Sequence, residues 1–212
     1  MLRPIIALIP LLLSFLLAPA ATAQGGGLDD LKHEIDFSVR WLRSTQNPEA
    51  GSYGGGVEGT AWALYALAKG PRKYVRADGP FVAKALDFLV ASQGEDGSIA
   101  DDGAKGADRL QQTQAAAAAL SVLVDKGTAP ALGKAAVWLA GQGVDSPSMD
   151  EIAMTEAPEK LGLELLGRRK GDGSFDGPRG AVIETSRAIC ALAAVKKKLK
   201  PEPSAEASAK AL

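Results

Sequence analysis

The chain has 212 residues, enough for one domain with a substantial core. Its 24 Lys and Arg residues nearly balance its 25 Asp and Glu residues, for a formal net charge of −1. That balance excludes the broad basic surface of a nucleic-acid-binding protein. One cysteine and one histidine exclude an intramolecular disulfide and leave too few ligands for the usual zinc sites. We therefore expect no metal, no cofactor and no nucleic-acid partner.

The amino-terminal stretch has the three parts of a secretory signal. Arg3 supplies the positive start, residues 5–18 form an apolar run, and small residues precede Gln24. The run contains Pro10 and is shorter than the about 20 apolar residues of a spanning helix. We predict a signal peptide at 1–23, cleaved before Gln24, and an exported protein, periplasmic or secreted, with no stable membrane span. An uncleaved membrane anchor is the alternative.

Beyond a short glycine-rich linker at 24–30, two kinds of segment show helical periodicity. The first kind carries an apolar stripe, as in Leu31, Ile35, Val39 and Leu42 after the N-cap candidates Asp29 and Asp30. Further stripes of this kind begin near Pro80, Pro130 and Pro158.

The second kind of segment is richer in alanine and is predicted as helix over 60–69, 110–126 and 182–198. A capping box at Ser148–Glu151 predicts a short helix of the same kind. No stretch shows sustained strand alternation. We therefore predict an all-α domain over 31–198, built from eight helices in four pairs, and a disordered tail over 199–212.

A sequence pattern recurs in these pairs. A large aromatic residue and leucine near a helix end are followed by a glutamine, an Asp-Gly-Ser or similar turn, and a threonine that opens the alanine-rich helix. Gln46 and Gln93 are 47 residues apart, and Gln142 follows 49 residues later, a period typical of stacked two-helix units. The turn glycine is expected to adopt a positive φ, and the glutamine to bond to free carbonyls or to the neighbouring repeat. The repeat positions are Trp41, Gln46, Phe88, Gln93, Gly97, Trp138, Gln142 and Gly173.

This pattern resembles the prenyltransferase and squalene-oxidase repeat, which builds the α/α-toroid of terpenoid cyclases and protein prenyltransferases. The resemblance covers roughly residues 31–195 and is clearest in the first, second and fourth units. It implies an outer ring made of the first helices and an inner ring made of the second. It also implies that the repeat positions named above are structural rather than catalytic.

The motifs that carry catalysis in that family are missing from this chain. It has no Asp-x-Asp-Asp motif, no Asp, Cys and His at the spacing of the prenyltransferase zinc site, and no Cys-Gly-Glu-Gln sequence. The nearest match, Asp101-Asp102-Gly103, is interpreted as a solvated turn. Toroids of this family usually close with about six or seven pairs, so four pairs are expected to form a partial toroid. We expect such an arc to close by tightening, by self-association, or by binding a partner or an apolar ligand.

Polar residues at the starts of the alanine-rich helices are the candidates for a shared site, with two aromatic residues deeper in the first of these helices. Acids at helix starts can also serve only as caps and as charges that complement the helix dipole. The candidate ligand-binding residues are Glu58, Trp62, Tyr65, Gln112, Asp150 and Glu184.

Two functions remain open at this point. The first is a non-catalytic module outside the cytoplasm that binds an unidentified protein or an apolar small molecule. The second is an enzyme similar to terpenoid cyclases or to toroid polysaccharide lyases, with the acids at the helix starts as catalytic groups. Aromatic residues make up only 5% of the chain, which disfavours a cyclase because carbocations are stabilised by aromatic faces.

Overall fold

The computed structural model describes residues 30–142 and 158–199. Within these ranges the chain forms seven α helices, the short 3₁₀ helix Arg76–Asp78 and no strand, so the predicted all-α class is confirmed for this part. The predicted signal peptide, the helix after Ser148 and residues 200–212 lie outside the described residues. The helices are α1 (Leu31–Ser44), α2 (Gly56–Lys69), α3 (Pro80–Ala91), α4 (Gly106–Val122), α5 (Ala129–Gly141), α6 (Pro158–Arg168) and α7 (Ala181–Leu199).

Most helix ends follow the sequence signals. Asp30 caps α1, accepting a hydrogen bond from the backbone N of His33 at 3.2 Å, and Pro80 occupies the first position of α3. The predicted end of α4 at 126 is wrong, because the helix ends at Val122. There the Asp125 carboxylate accepts hydrogen bonds from the backbone N of Gly127 and of Thr128, which stabilises a turn in place of another helical turn.

The described helices follow the predicted units, three of which have both a first and a second helix. Units 1, 2 and 4 consist of α1–α2, α3–α4 and α6–α7, and unit 3 is described only by α5. Within a unit, the two helices are joined by turn 1 (45–55), turn 2 (92–105) or turn 4 (169–180). First helices also pack on the second helix of the preceding unit, as α3 does on α2 and α5 does on α4. In unit 4 the two helices α6 and α7 pack on each other. Tyr53 is the buried aromatic residue of turn 1 and lies just before α2. Its hydroxyl donates a hydrogen bond to Phe81 O of α3 at 3.2 Å.

The second helices form the centre of the molecule. Helix α2 contacts α3, α4 and α7, and every residue from Gly59 to Leu67 is buried. The alanines from Ala115 to Ala119 on α4 are also buried. Small side chains allow helices to approach closely at such a crowded position. The surroundings of α2 are therefore filled by protein, at the close packing typical of a protein core.

Each described turn is fixed to the second helix of its unit by a buried threonine. The backbone N of Tyr53, Ile99 and Phe175 donates to the hydroxyl of Thr60, Thr113 and Thr185 at 2.9, 3.1 and 3.0 Å. All three threonines are fully buried. The same hydroxyl of Thr113 donates to the carbonyl of Arg109 at 2.8 Å. One side chain therefore provides hydrogen-bond partners for a backbone N–H of the turn and a backbone carbonyl of the helix.

A glycine of each turn lies against the backbone of another unit's first helix. Gly51, Gly97 and Gly173 have φ values of +79°, +95° and +94°. A Cβ added at these positions would lie 2.5 Å from Lys84 O, 2.7 Å from Lys134 O and 3.1 Å from Phe37 O. The predicted positive φ of the turn glycine is confirmed, and the close approach gives a second reason for glycine.

These contacts place unit 4 against unit 1. Lys84, Lys134 and Phe37 each precede the aromatic residue of their helix, Phe88, Trp138 and Trp41, by four residues. Turn 4 therefore lies on α1 as turn 1 lies on α3 and turn 2 lies on α5. Helix α1 also packs on α7, as α3 packs on α2. The first and last units are thus joined by the same kind of interface that joins consecutive units.

None of the helices in the described ranges combines the length and the apolar composition needed to cross a membrane.

Candidate functional site

The starts of α2, α4 and α7 lie at one face of the molecule, together with the turns before them. The backbone N of Val57, at the start of α2, donates to the Asp101 carboxylate of turn 2 at 3.0 Å. Glu58, also at the start of α2, contacts Gln111 of α4 and Arg179 of turn 4. We call the surface formed by Glu58, Asp101, Asp102, Asp108, Gln111, Arg179 and Glu184 the helix-start face.

Glu58 is the centre of this face. Its Oε1 accepts a hydrogen bond from Gln111 Nε2 at 2.8 Å and forms an ion pair with Arg179 Nη2. The Glu58 side chain is only 16% exposed. A single carboxylate oxygen therefore joins units 1, 2 and 4. Because this oxygen already has an amide and a guanidinium donor, it is poorly placed to take a proton from a substrate.

Asp101 and Gln112 hold turn 2 against the helix starts. The Asp101 carboxylate caps α2 through Val57, and Gln112 Oε1 accepts a hydrogen bond from the backbone N of Asp101 at 2.7 Å. Asp101 is thus more than the solvated turn residue that the sequence suggested, since its carboxylate satisfies a free N–H of another unit's helix. Asp102 and Gly103 beside it are exposed.

Trp62 and Tyr65 lie below the helix-start face. Both are buried, and their ring centroids are 6.4 Å apart in an edge-to-face arrangement. The guanidinium of Arg187, on α7, lies 5.9 Å from the Trp62 ring and 4.0 Å from the Glu184 carboxylate. The Trp62 ring therefore already has a protein cation beside it.

The structure brings most of the predicted site residues to one end of the molecule. Glu58 and Glu184 lie in the first turns of α2 and α7, and Trp62 and Tyr65 lie deeper on α2. Gln112 lies six residues after the start of α4, because this helix begins at Gly106 and not at the predicted residue 110. Asp150 lies outside the described residues. Sequence reasoning missed three residues that bind the predicted acids: Gln111, Arg179 and Arg187. Only a contact between units 1 and 4, which the sequence pattern does not contain, could have identified Arg179.

The repeat positions make contacts within their own units and with neighbouring units. Gln46 Nε2 donates to Gly51 O at 2.8 Å and to Phe81 O at 3.0 Å, and Gln93 Nε2 donates to Gly97 O and Ala131 O. Each glutamine therefore bonds both to its own turn and to the next unit. Trp41, Phe88 and Trp138 are half-buried against the core, Trp138 Nε1 donates to Asp96 Oδ2 at 3.0 Å, and Gln142 is exposed at the end of α5.

Tyr53 is packed rather than free for a ligand. Its side chain is buried, and burial raises the pKa of its phenol well above the ordinary value, against a smaller lowering by the charge of Arg43. The hydroxyl therefore stays protonated and donates to Phe81 O. This arrangement stabilises the contact between turn 1 and α3 and does not provide an acid or a base.

The Asp residues of the turns are also bound locally. Hydrogen bonds from the backbone N and then the hydroxyl of Ser174 lower the pKa of Asp172 below its ordinary value, against a smaller opposing effect of burial. Within the described ranges, no three His, Cys, Asp or Glu side chains lie close enough to hold a metal ion. The polar groups of this face therefore bind mainly to each other.

No family model matches the sequence, and no curated protein or solved structure matches the chain.

Proposed function

We propose that the chain is an exported, non-catalytic repeat protein of the prenyltransferase and squalene-oxidase kind, whose helix-start face binds a protein partner. The observation that carries this proposal is the bonding of Glu58, which joins three units through Gln111 and Arg179. A carboxylate with these contacts stabilises the packing of the three units and does not act as a catalytic group. The location in this proposal rests on the predicted signal peptide, and the family rests on the resemblance described above.

A ring arrangement is part of the proposal. Three interfaces repeat one set of contacts, and the third of them lies between unit 4 and unit 1. Four units that follow each other in this way fit a closed α/α-toroid smaller than those of the enzymes. The contacts of α2, which is buried along Gly59–Leu67, favour a centre filled by side chains over a cavity for an apolar ligand.

The enzyme alternatives are less well supported. A terpenoid cyclase would need open aromatic faces, but the Trp62 ring is buried, makes an edge-to-face contact with Tyr65 and has the guanidinium of Arg187 beside it. A lyase would need a base that is free to accept a proton, but Glu58 and Glu184 have arginine neighbours. The polar, charged exterior of the helix-start face suits a protein partner of mixed charge.

Cross-linking mass spectrometry of the full chain in its exported fraction tests the binding face. The variant Asp102→Lys with Asp108→Lys changes two exposed acids of the helix-start face. The control Lys126→Glu changes an exposed residue after α4, at the opposite end of that helix. We expect one defined protein to cross-link to the unchanged chain and to the control, and to be lost from the double variant. Equal cross-linking by all three chains would exclude this face.

Dye binding and native mass spectrometry test the filled centre. The purified chain should not bind an apolar dye such as anilinonaphthalene sulfonate and should carry no additional apolar mass. A retained lipid or isoprenoid-like mass would overturn the non-catalytic proposal and favour the cyclase alternative. In that case Glu58→Gln with Glu184→Gln should abolish turnover in a chain that circular dichroism shows to be folded.

A further inference from the structure

The interface between unit 4 and unit 1 differs from the other two at one position. Gln46 and Gln93 donate to the backbone carbonyls of Phe81 and Ala131, which each precede the aromatic residue of their helix by seven residues. In unit 4 the residue that corresponds to Gln93 is Arg169, four residues before the turn glycine. The corresponding position on α1, seven residues before Trp41, is Glu34.

Arg169 and Glu34 form a buried ion pair. Arg169 Nη2 lies 2.6 Å from Glu34 Oε2, and the two side chains are 12% and 8% exposed. The guanidinium also lies 5.0 Å from the ring of Phe37, one turn further along α1. At two interfaces a glutamine amide therefore binds a backbone carbonyl. At the interface between units 4 and 1, two side chains of opposite charge take the place of this contact.

This ion pair is not a favourable way to add stability. Moving each charge out of water costs several kcal/mol, which only good geometry and further hydrogen bonds offset. The contact is short, but its angle is not that of a hydrogen bond, and Arg169 Nε has no hydrogen-bond partner within the described ranges. A neutral glutamine at 169 would satisfy its hydrogen bonds at a lower desolvation cost, as Gln93 does.

The charges of Arg169 and Glu34 can determine which turn packs on which first helix. All three described turns make the same glycine contact with a first helix. If turn 4 left α1, turn 1 or turn 2 of a second copy could therefore make this contact with α1, unless another residue prevented it. If turn 1 or turn 2 docked there, Glu34 would be buried opposite a neutral glutamine. If turn 4 docked on α3 or α5, Arg169 would be buried opposite Phe81 or Ala131. An unpaired buried charge is strongly unfavourable in either case.

We propose that the Arg169–Glu34 pair is a recognition signal that reserves the surface of α1 for turn 4 and thereby pairs the last unit of a chain with its own first unit. The pair excludes the neutral turns of a second copy of this chain. It is therefore a determinant of the monomeric, closed arrangement rather than a source of stability.

The variant Glu34→Ala with Arg169→Gln tests this proposal, because it copies at this interface the residues found at Ala131 and Gln93. Sedimentation velocity and size-exclusion light scattering should show a monomer for the unchanged chain up to high concentration. The double variant should unfold at the same or a higher temperature but should associate with increasing concentration. If it stays monomeric over the same range, or if the unchanged chain already associates, the proposal is overturned.

A charge-reversed variant provides the matched control. Glu34→Arg with Arg169→Glu keeps an opposite-charge pair at the interface, so this chain should stay monomeric like the unchanged one. The single change Arg169→Gln leaves the buried carboxylate of Glu34 unpaired and should lower the melting temperature, which confirms that the two residues meet in solution. Association of the charge-reversed chain to the same extent as the neutral variant would show that a pair of charges does not select the partner.

Discussion

The interfaces between consecutive units and the interface between the last and first units share their backbone contacts but not their side-chain signal. Turn glycines approach a helix carbonyl at all three, and a threonine fixes each turn. One turn residue changes from Gln46 and Gln93 to Arg169, and the position that it meets on the first helix changes from Phe81 and Ala131 to Glu34. The comparison teaches that the repeat is defined by the close contact between the turn glycine and the helix backbone. Different side chains beside this contact are compatible with the same geometry.

The largest effect is expected from adding a methyl group where the backbones approach. Gly97→Ala places a Cβ 2.7 Å from Lys134 O at a φ of +95°, whereas Gly180→Ala has φ +92° with no neighbour within 4 Å. We expect Gly97→Ala to cost about 3 kcal/mol of unfolding free energy and Gly180→Ala about 1 kcal/mol. Gly173→Ala, with its Cβ 3.1 Å from Phe37 O, should lie between them. Urea unfolding measures all three, and equal losses would mean that the close approach does not matter.

A smaller effect is expected from removing the buried threonine hydroxyl. Thr113→Val leaves the backbone N of Ile99 without its partner, and Thr185→Val does the same to Phe175. Each should cost about 2 kcal/mol, because an unsatisfied buried N–H group retains its full desolvation penalty. Similar losses in units 2 and 4 would confirm that both units use one frame. The exposed hydroxyl of Ser44 provides the control, and Ser44→Ala should change stability little.

The smallest effect concerns the pH dependence of the turn aspartates. The pKa of Asp172 is lowered in the folded chain, so the unfolded chain binds a proton first as the pH falls. Its contribution to stability is present above about pH 4, the ordinary Asp value, and is lost as the pH falls through the lower folded value. Asp172→Asn should therefore reduce the loss of stability between neutral and acidic pH. The effect is small because Asp172 is exposed, and an unchanged acid profile would contradict it.

Much of the local structure could be predicted from the sequence. The caps at Asp30 and Pro80, the period of the glutamines and the positive φ of Gly97 and Gly173 each follow from rules about neighbouring residues. The end of α4 could not be predicted in this way, because the helical pattern does not reveal that Asp125 binds the backbone N–H groups after it.

The candidate site was predictable only in part. The starts of the second helices do meet at one face, because a repeat places equivalent positions together. The partners of Glu58 and Glu34 were not predictable, because Arg179 and Arg169 belong to unit 4 and reach unit 1 across the whole sequence. No local pattern shows which distant unit a turn will contact.

The packing of α1 on α7 has a consequence for chain connectivity. Helix α1 ends, and α7 begins, at the face that carries the turns, so Leu31 and Leu199 lie toward the opposite face on two helices in contact. A designed linker could join these helix ends, and Asp102–Gly103 is an exposed position for new termini. A circular permutant that begins at Gly103 and ends at Asp102 would keep every described interface, so the order in which the units are synthesised need not determine the structure they form.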